Sequence, residues 1–137
     1  MRFLFVDTSY WVAVLHHHDR LHKRAQKVSA SLGRVRLITS EMVLTELLND
    51  FGKRGMTFRQ AAVNLIEDIR RNPNLSIVPQ SSIQFQEAFV LYARRADKTW
   101  SHTDCASFQI MKRGRIAEAL THDRHFEQAG FRALLRD

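Results

Sequence analysis

Five short apolar runs, the first four each followed by a stretch of helical periodicity, constrain this chain more than any other feature. RFLFV at residues 2–6 reads as a buried strand that ends on Asp7. RLITS at 36–40, LSIVP at 75–79, AEALT at 117–121 and FRALL at 131–135 read the same way. TSYWVAVL opens a helix with Asp7 or Thr8 as its cap, and residues 21–32 form an amphipathic helix that Gly33 can end. EMVLTELLNDFGKRG is helical, with glycines 52 and 55 marking its end. Thr57-x-x-Gln60 has capping-box spacing and opens the next helix, which Asn72-Pro73 terminates. Helices follow at 82–96 and 103–113, the second stopped by Gly114, and DRHFEQAG is a short helix closed by Gly130. Strands that alternate with helices predict an α/β fold. The expectation is a short parallel sheet flanked by helices on both faces, in a single domain spanning residues 1–137.

Charge narrows the choice of partner. Lysine and arginine total 21 against 14 acids, a formal net charge of +7. The cations fall in small groups along the whole chain: Lys23-Arg24, Lys53-Arg54, Arg70-Arg71, Arg94-Arg95 and Lys112-Arg113. Any one pair suits a solvated surface, but the set makes a polyanion, and first of all nucleic acid, the leading partner class. No stretch approaches the roughly 18 apolar residues that a membrane helix requires. The opening MRFLFVD meets an acid too early for a signal peptide, so a soluble cytoplasmic protein without membrane contact is expected. Cys105 is the sole cysteine, which excludes an intrachain disulfide, and its apolar context suits a small buried residue better than a reactive thiol.

In a parallel sheet the ligand site lies beyond the carboxyl ends of the strands. Asp7 directly follows the first strand, and Asp123 follows the fourth in LTHD. Glu46 sits in the second turn of the helix after the second strand; Asp50 flanks the same apolar arc, but Glu46 is a turn nearer the helix start. Asp104 opens a helix between two helices, where Ser101-x-x-Asp104 also fits a capping box. Each acid alone has a plain structural role open to it. Glu41, at the first helical position, is explained by the helix dipole. Four carboxylates drawn to one place repel one another, and a hard divalent cation such as Mg²⁺ or Mn²⁺ relieves that repulsion. An acidic metal centre in a basic protein is what phosphodiester hydrolysis requires.

These segments carry a resemblance. FVDTSYWVA, TSEMVLTELL, WSHTDCASF and LTHDRHFEQAGF, in this order and across nearly the whole chain, resemble the PIN-domain ribonucleases, and within them the VapC-type toxins of bacterial toxin–antitoxin pairs. The resemblance implies a metal-dependent endoribonuclease that acts on single-stranded or looped RNA with Mg²⁺ or Mn²⁺. It implies Asp7 and Asp104 as principal metal ligands, Glu46 as a ligand or the residue that orients water, and Asp123 as the most variable member of the four. It favours Glu46 over Asp50. Ser9 and Thr103 stand beside these acids as candidates for touching substrate or supporting ligands. The implied partners are RNA, a small VapB-like antitoxin and a second copy of the chain in a homodimer. The competing reading is a PIN-like RNA-binding or RNA-processing protein that is not a toxin.

Other features carry less. His16-His17-His18 looks like a metal tract, but consecutive side chains on a helix diverge, so a helix end or loop is expected there. Trp11 is expected in the core; Trp100 and His102 are open between packing and contact with substrate. A phosphoacceptor receiver domain needs paired acids after the first strand, where Asp7 stands alone. A haloacid-dehalogenase-type phosphatase needs a second aspartate where Ser9 stands.

Overall fold

The computed structural model describes residues 1–136. Strand β1 (Arg2–Val6) leads to α1 (Thr8–Leu15) and α2 (His22–Ser31), and β2 (Val35–Ser40) to α3 (Glu41–Gly52) and α4 (Met56–Arg71). Then follow β3 (Leu75–Val78), α5 (Ser82–Arg94), α6 (His102–Arg113), β4 (Glu118–Leu120), α7 (Arg124–Gln128) and β5 (Arg132–Ala133). The strands form one sheet in the order β3-β2-β1-β4-β5, and every pairing is parallel. This is the α/β architecture that the alternating pattern predicts.

Neighbouring strand residues point to opposite faces. Leu4, Phe5 and Val6 are all fully buried, so both faces of β1 are covered. The same holds for Ala119 and Leu120 in β4. Such strands read as unbroken apolar runs, which is why they stand out in the sequence. Chain order reverses at β1: β2 and β3 build outward on one side, β4 and β5 on the other. Ligands in open parallel sheets bind at this reversal, off the carboxyl ends of the two strands that flank it. Here those ends are Val6 and Leu120, joined across the gap by the Asp7 N–H, which donates to the Leu120 carbonyl at 3.2 Å.

An aromatic cluster supports this end of the sheet. The Phe108 ring meets Phe126 edge-on at 5.0 Å and Trp100 at 4.9 Å, and Phe126 lies 6.4 Å from Phe5 of β1. Trp100 is buried in that cluster, its indole N–H donating to Gln128 Oε1 at 2.9 Å, so it is a packing residue. Trp11 is in the core as expected. Cys105 is buried too, and burial, with the adjacent Asp104 charge, pushes its thiol up to about 11.

One local expectation is corrected. Thr57 and Gln60 make no capping box: α4 starts a residue earlier at Met56, with Gly55 as its cap at φ 107°. That left-handed turn, open to glycine, lets the chain reverse within three residues of α3, and Gln60 instead donates to Asn64 at 2.9 Å. Helix α6 stops at Gly114 as expected; Arg115 follows at φ 53°, and the Ile116 N–H closes on the Met111 carbonyl at 2.8 Å. Strand β3 stops at Val78 because Pro79 has no N–H to give.

Candidate active site

The site is built where β1 and β4 end. Asp7 occupies the cap position of α1 yet makes no side-chain capping bond. Its carboxylate accepts the Thr121 hydroxyl at 2.8 Å instead. Thr121 follows β4, is fully buried, and its oxygen also accepts the Asp123 N–H at 3.0 Å. One hydroxyl therefore fixes two of the four acids. Burial drives the Asp7 carboxyl up to about 7; Thr121 and the Thr8 N–H oppose the shift, and the charges of Asp104 and Glu46 add to it.

Glu46 arrives from α3, whose start is capped by Ser40 accepting the Val43 N–H at 3.2 Å. Thr8 donates to Glu46 Oε1 at 2.7 Å, which draws this carboxylate toward the end of β1. The two other acids of that helix turn elsewhere. Asp50 pairs with Arg54 a turn later at 2.9 Å, and Glu41 accepts the Gln80 N–H at 2.7 Å.

Asp104 does what the local sequence pattern says and more. Ser101 accepts the Asp104 N–H at 2.9 Å, and Asp104 Oδ2 accepts the Ser101 N–H at 3.0 Å, a complete capping box. The same oxygen also takes His125 Nδ1 at 2.9 Å. Asp123 caps α7 by accepting the His125 N–H at 2.9 Å, and its Oδ1 lies 3.3 Å from His125 Nδ1. Asp104, Asp123 and His125 each offer a ligand atom within 4.8 Å of the others, the one such trio among the described residues. Asp7 and Glu46 stand outside this trio, near enough for their charges to be felt.

His125 is the residue that sequence reading missed. The signal was the spacing in DRH: a histidine two residues after the capping Asp123 is turned back over its own helix start. Thr99 holds the other ring nitrogen at 3.2 Å. Thr121 was missed as well, since a buried threonine closing a strand looks like core.

Ser9 joins the network from the side, 3.2 Å from Thr121 Oγ1 and accepting the His122 N–H at 3.2 Å. Thr103 is half-buried in the first turn of α6, its carbonyl accepting the Ser107 hydroxyl at 2.9 Å. His102 bonds the Phe85 carbonyl at 3.0 Å and packs on that ring. The three consecutive histidines do not gather on one point: His16 stacks on Phe58 and meets His18 edge-on, while His17 meets His22.

This donor set is oxygen-rich with one imidazole, and a buried carboxylate held near neutrality lies beside it. It fits a hard divalent cation, whose charge would offset both the burial that raises Asp7 and the smaller repulsion from Asp104 and Glu46.

Residues 4–132 match the PIN domain family model. The chain is 31% identical over 132 residues, 93% of its length and 95% of the relative's, to the 23S rRNA-specific endonuclease VapC20 of Mycobacterium tuberculosis. The crystal structure of M. tuberculosis VapC20, a sarcin-ricin loop cleaving toxin, superposes with a TM-score of 0.83 at 28% identity, covering 93% of this chain and 95% of that one. VapBC2 from Rickettsia felis, bound to a DNA fragment from their promoter, shares the fold with a TM-score of 0.63 at 14% identity over 96% of each chain.

Proposed function

We propose that this chain, which belongs to the PIN-domain family, is a divalent-metal-dependent endoribonuclease and the toxin of a toxin–antitoxin pair. The observation that carries the reading is the convergence of Asp7, Glu46, Asp104 and Asp123 where the sheet order reverses, in a basic chain. Its 31% identity to an endonuclease over 93% of its length supports the activity.

Asp7 and Asp104 would hold Mg²⁺ or Mn²⁺, with Asp123 and Glu46 completing or orienting the shell. When bound, the cation supplies Lewis-acid polarisation of a phosphoryl oxygen and a more acidic water. The chain's own residues do the positioning. Thr121 holds Asp7 and the backbone of Asp123 in one hydrogen-bonded unit. Thr8 aims Glu46, which is placed to accept a proton from water in the site. Ser101 fixes Asp104 at the α6 start. His125, when protonated, balances Asp104 and Asp123, and it offers an N–H where negative charge gathers.

Purified protein should cleave single-stranded or looped RNA in Mn²⁺ and stop on adding EDTA. The first substrate to try is 23S rRNA, the target of the mycobacterial relative. Cleavage that persists in EDTA would rule out the metal reading. A VapB-like antitoxin is the proposed protein partner, with a homodimer as the proposed assembly. Co-expression with a neighbouring small gene should relieve growth arrest and co-purify a complex; unrelieved arrest removes the toxin assignment and leaves the nuclease standing. The rival, an RNA-binding protein that is not a nuclease, would bind the same RNA in Mn²⁺ without cutting it.

A further inference from the structure

A cavity with basic lining lies beside Asp123. Arg20 from the loop between α1 and α2, Arg24 from α2, His122 after β4 and Arg136 after β5 line a space of about 410 Å³, together with Glu127 of α7. These groups come from separate parts of the chain, so the fold and not a basic run in the sequence assembles them. Arg136 is set in place: its Nε pairs with Glu127 at 2.8 Å and it donates to the His122 carbonyl at 3.1 Å. Among the described residues Glu127 is the one acid lining the cavity beside the Arg20, Arg24 and Arg136 guanidiniums, a basic lining that favours an anion. The flat guanidinium fork matches phosphate oxygens two at a time.

The cavity is wired to the acid site by one short path. The His122 N–H donates to Ser9 Oγ, Ser9 lies against the Thr121 hydroxyl, and Thr121 donates to Asp7. A strand of RNA carries a phosphate at every nucleotide, so a strand with one phosphate at the acids must place a neighbouring one close by.

We propose that the cavity of Arg20, Arg24, His122 and Arg136 binds a backbone phosphate of the RNA next to the one that is cut. This rests on the nuclease reading above, and it adds a subsite that sets where the strand lies. Arg20 is the residue to test, because it is exposed in a loop and its removal leaves the core untouched.

The measurement is binding of a short fluorescent single-stranded RNA to the full chain in EDTA, where nothing is cut, over a range of KCl. Arg20→Ala should raise Kd about tenfold. The slope of log K against log salt should shrink by about 0.7, the value for one phosphate contact on a single strand. Arg20→Lys should recover part of the affinity, because it restores the charge without the fork. Arg70→Ala makes the same charge change on the exposed face of α4 and should shift Kd less than about twofold. If Arg20→Ala and Arg70→Ala behave alike, the effect is bulk charge and the subsite is overturned. Loss of inorganic phosphate binding by calorimetry in Arg20→Ala, with RNA affinity unchanged, assigns the cavity to a free anion and overturns it too. Failure of the wild type to cleave RNA in Mn²⁺ removes the nuclease reading and the subsite with it. Wild-type cleavage with a silent Arg20→Ala removes the subsite alone.

Discussion

Asp7 is where stability and chemistry pull against each other. Its carboxyl titrates near 7 in the fold and near 3.8 when exposed. Between those values the folded state keeps a proton that the unfolded state has released, so this group's contribution to stability falls as pH rises from about 4 to about 7. The loss is on the order of a few kcal/mol. In EDTA, thermal unfolding should therefore show a lower midpoint at pH 8 than at pH 5.5, and Asp7→Asn should flatten that decline. A decline just as steep in Asp7→Asn would place its origin elsewhere. Asp104 behaves differently because it works twice. Asparagine still accepts the Ser101 N–H, so Asp104→Asn should change metal-free stability by at most about 1 kcal/mol. It removes a charge that raises Asp7, so Asp7 should titrate lower in this variant. Cleavage in Mn²⁺ should fall by orders of magnitude, and near-wild-type turnover would return Asp104 to capping alone.

At the level of elements, the site depends on how strand ends and helix starts are pinned. The Thr121 hydroxyl bonds both Asp7 and the Asp123 backbone from a fully buried position. Thr121→Val keeps the shape and strips those bonds, which should cost about 1–3 kcal/mol and weaken Mn²⁺ binding by calorimetry. Unchanged stability and metal affinity would show that the hydroxyl holds nothing. Strands β1 and β4 were legible in the sequence because burial on both faces leaves consecutive apolar residues and no polar alternation there. Ser101-x-x-Asp104 was legible because a capping box is a local device. Thr57-x-x-Gln60 had the same spacing and failed, because the tight turn at Gly55 decides where α4 begins and a box pattern does not register it. The four acids were placed by the strand-end rule and by resemblance, yet His125 and Thr121 were not found. Their roles rest on pairings over distances in sequence, Asp104 with His125 and Asp7 with Thr121; the DRH spacing sets His125 beside Asp123 but carries no record of Asp104.

For the molecule as a whole, the acid end and the basic surface act in opposite senses. A cation that binds the fold and not the unfolded chain adds about 2.7 kcal/mol of stability at a hundred times its Kd. Mn²⁺ should then raise the unfolding midpoint, and it should raise it more at pH 8 than at pH 5.5, because the cation and a proton compete for Asp7. An unmoved midpoint, with no heat of binding, would remove the metal centre. The sheet order carries a further consequence in time. Strand β1 leaves the ribosome before β4, which pairs with it and is made more than a hundred residues later. Until then β1 has a bare edge on one side, and Asp7 has neither the Leu120 carbonyl for its N–H nor the Thr121 hydroxyl for its carboxylate. A half-made chain thus holds the first acid without its fastening and lacks the last acid altogether. On the nuclease reading, the acid site is assembled only once β4 and the residues after it have been made.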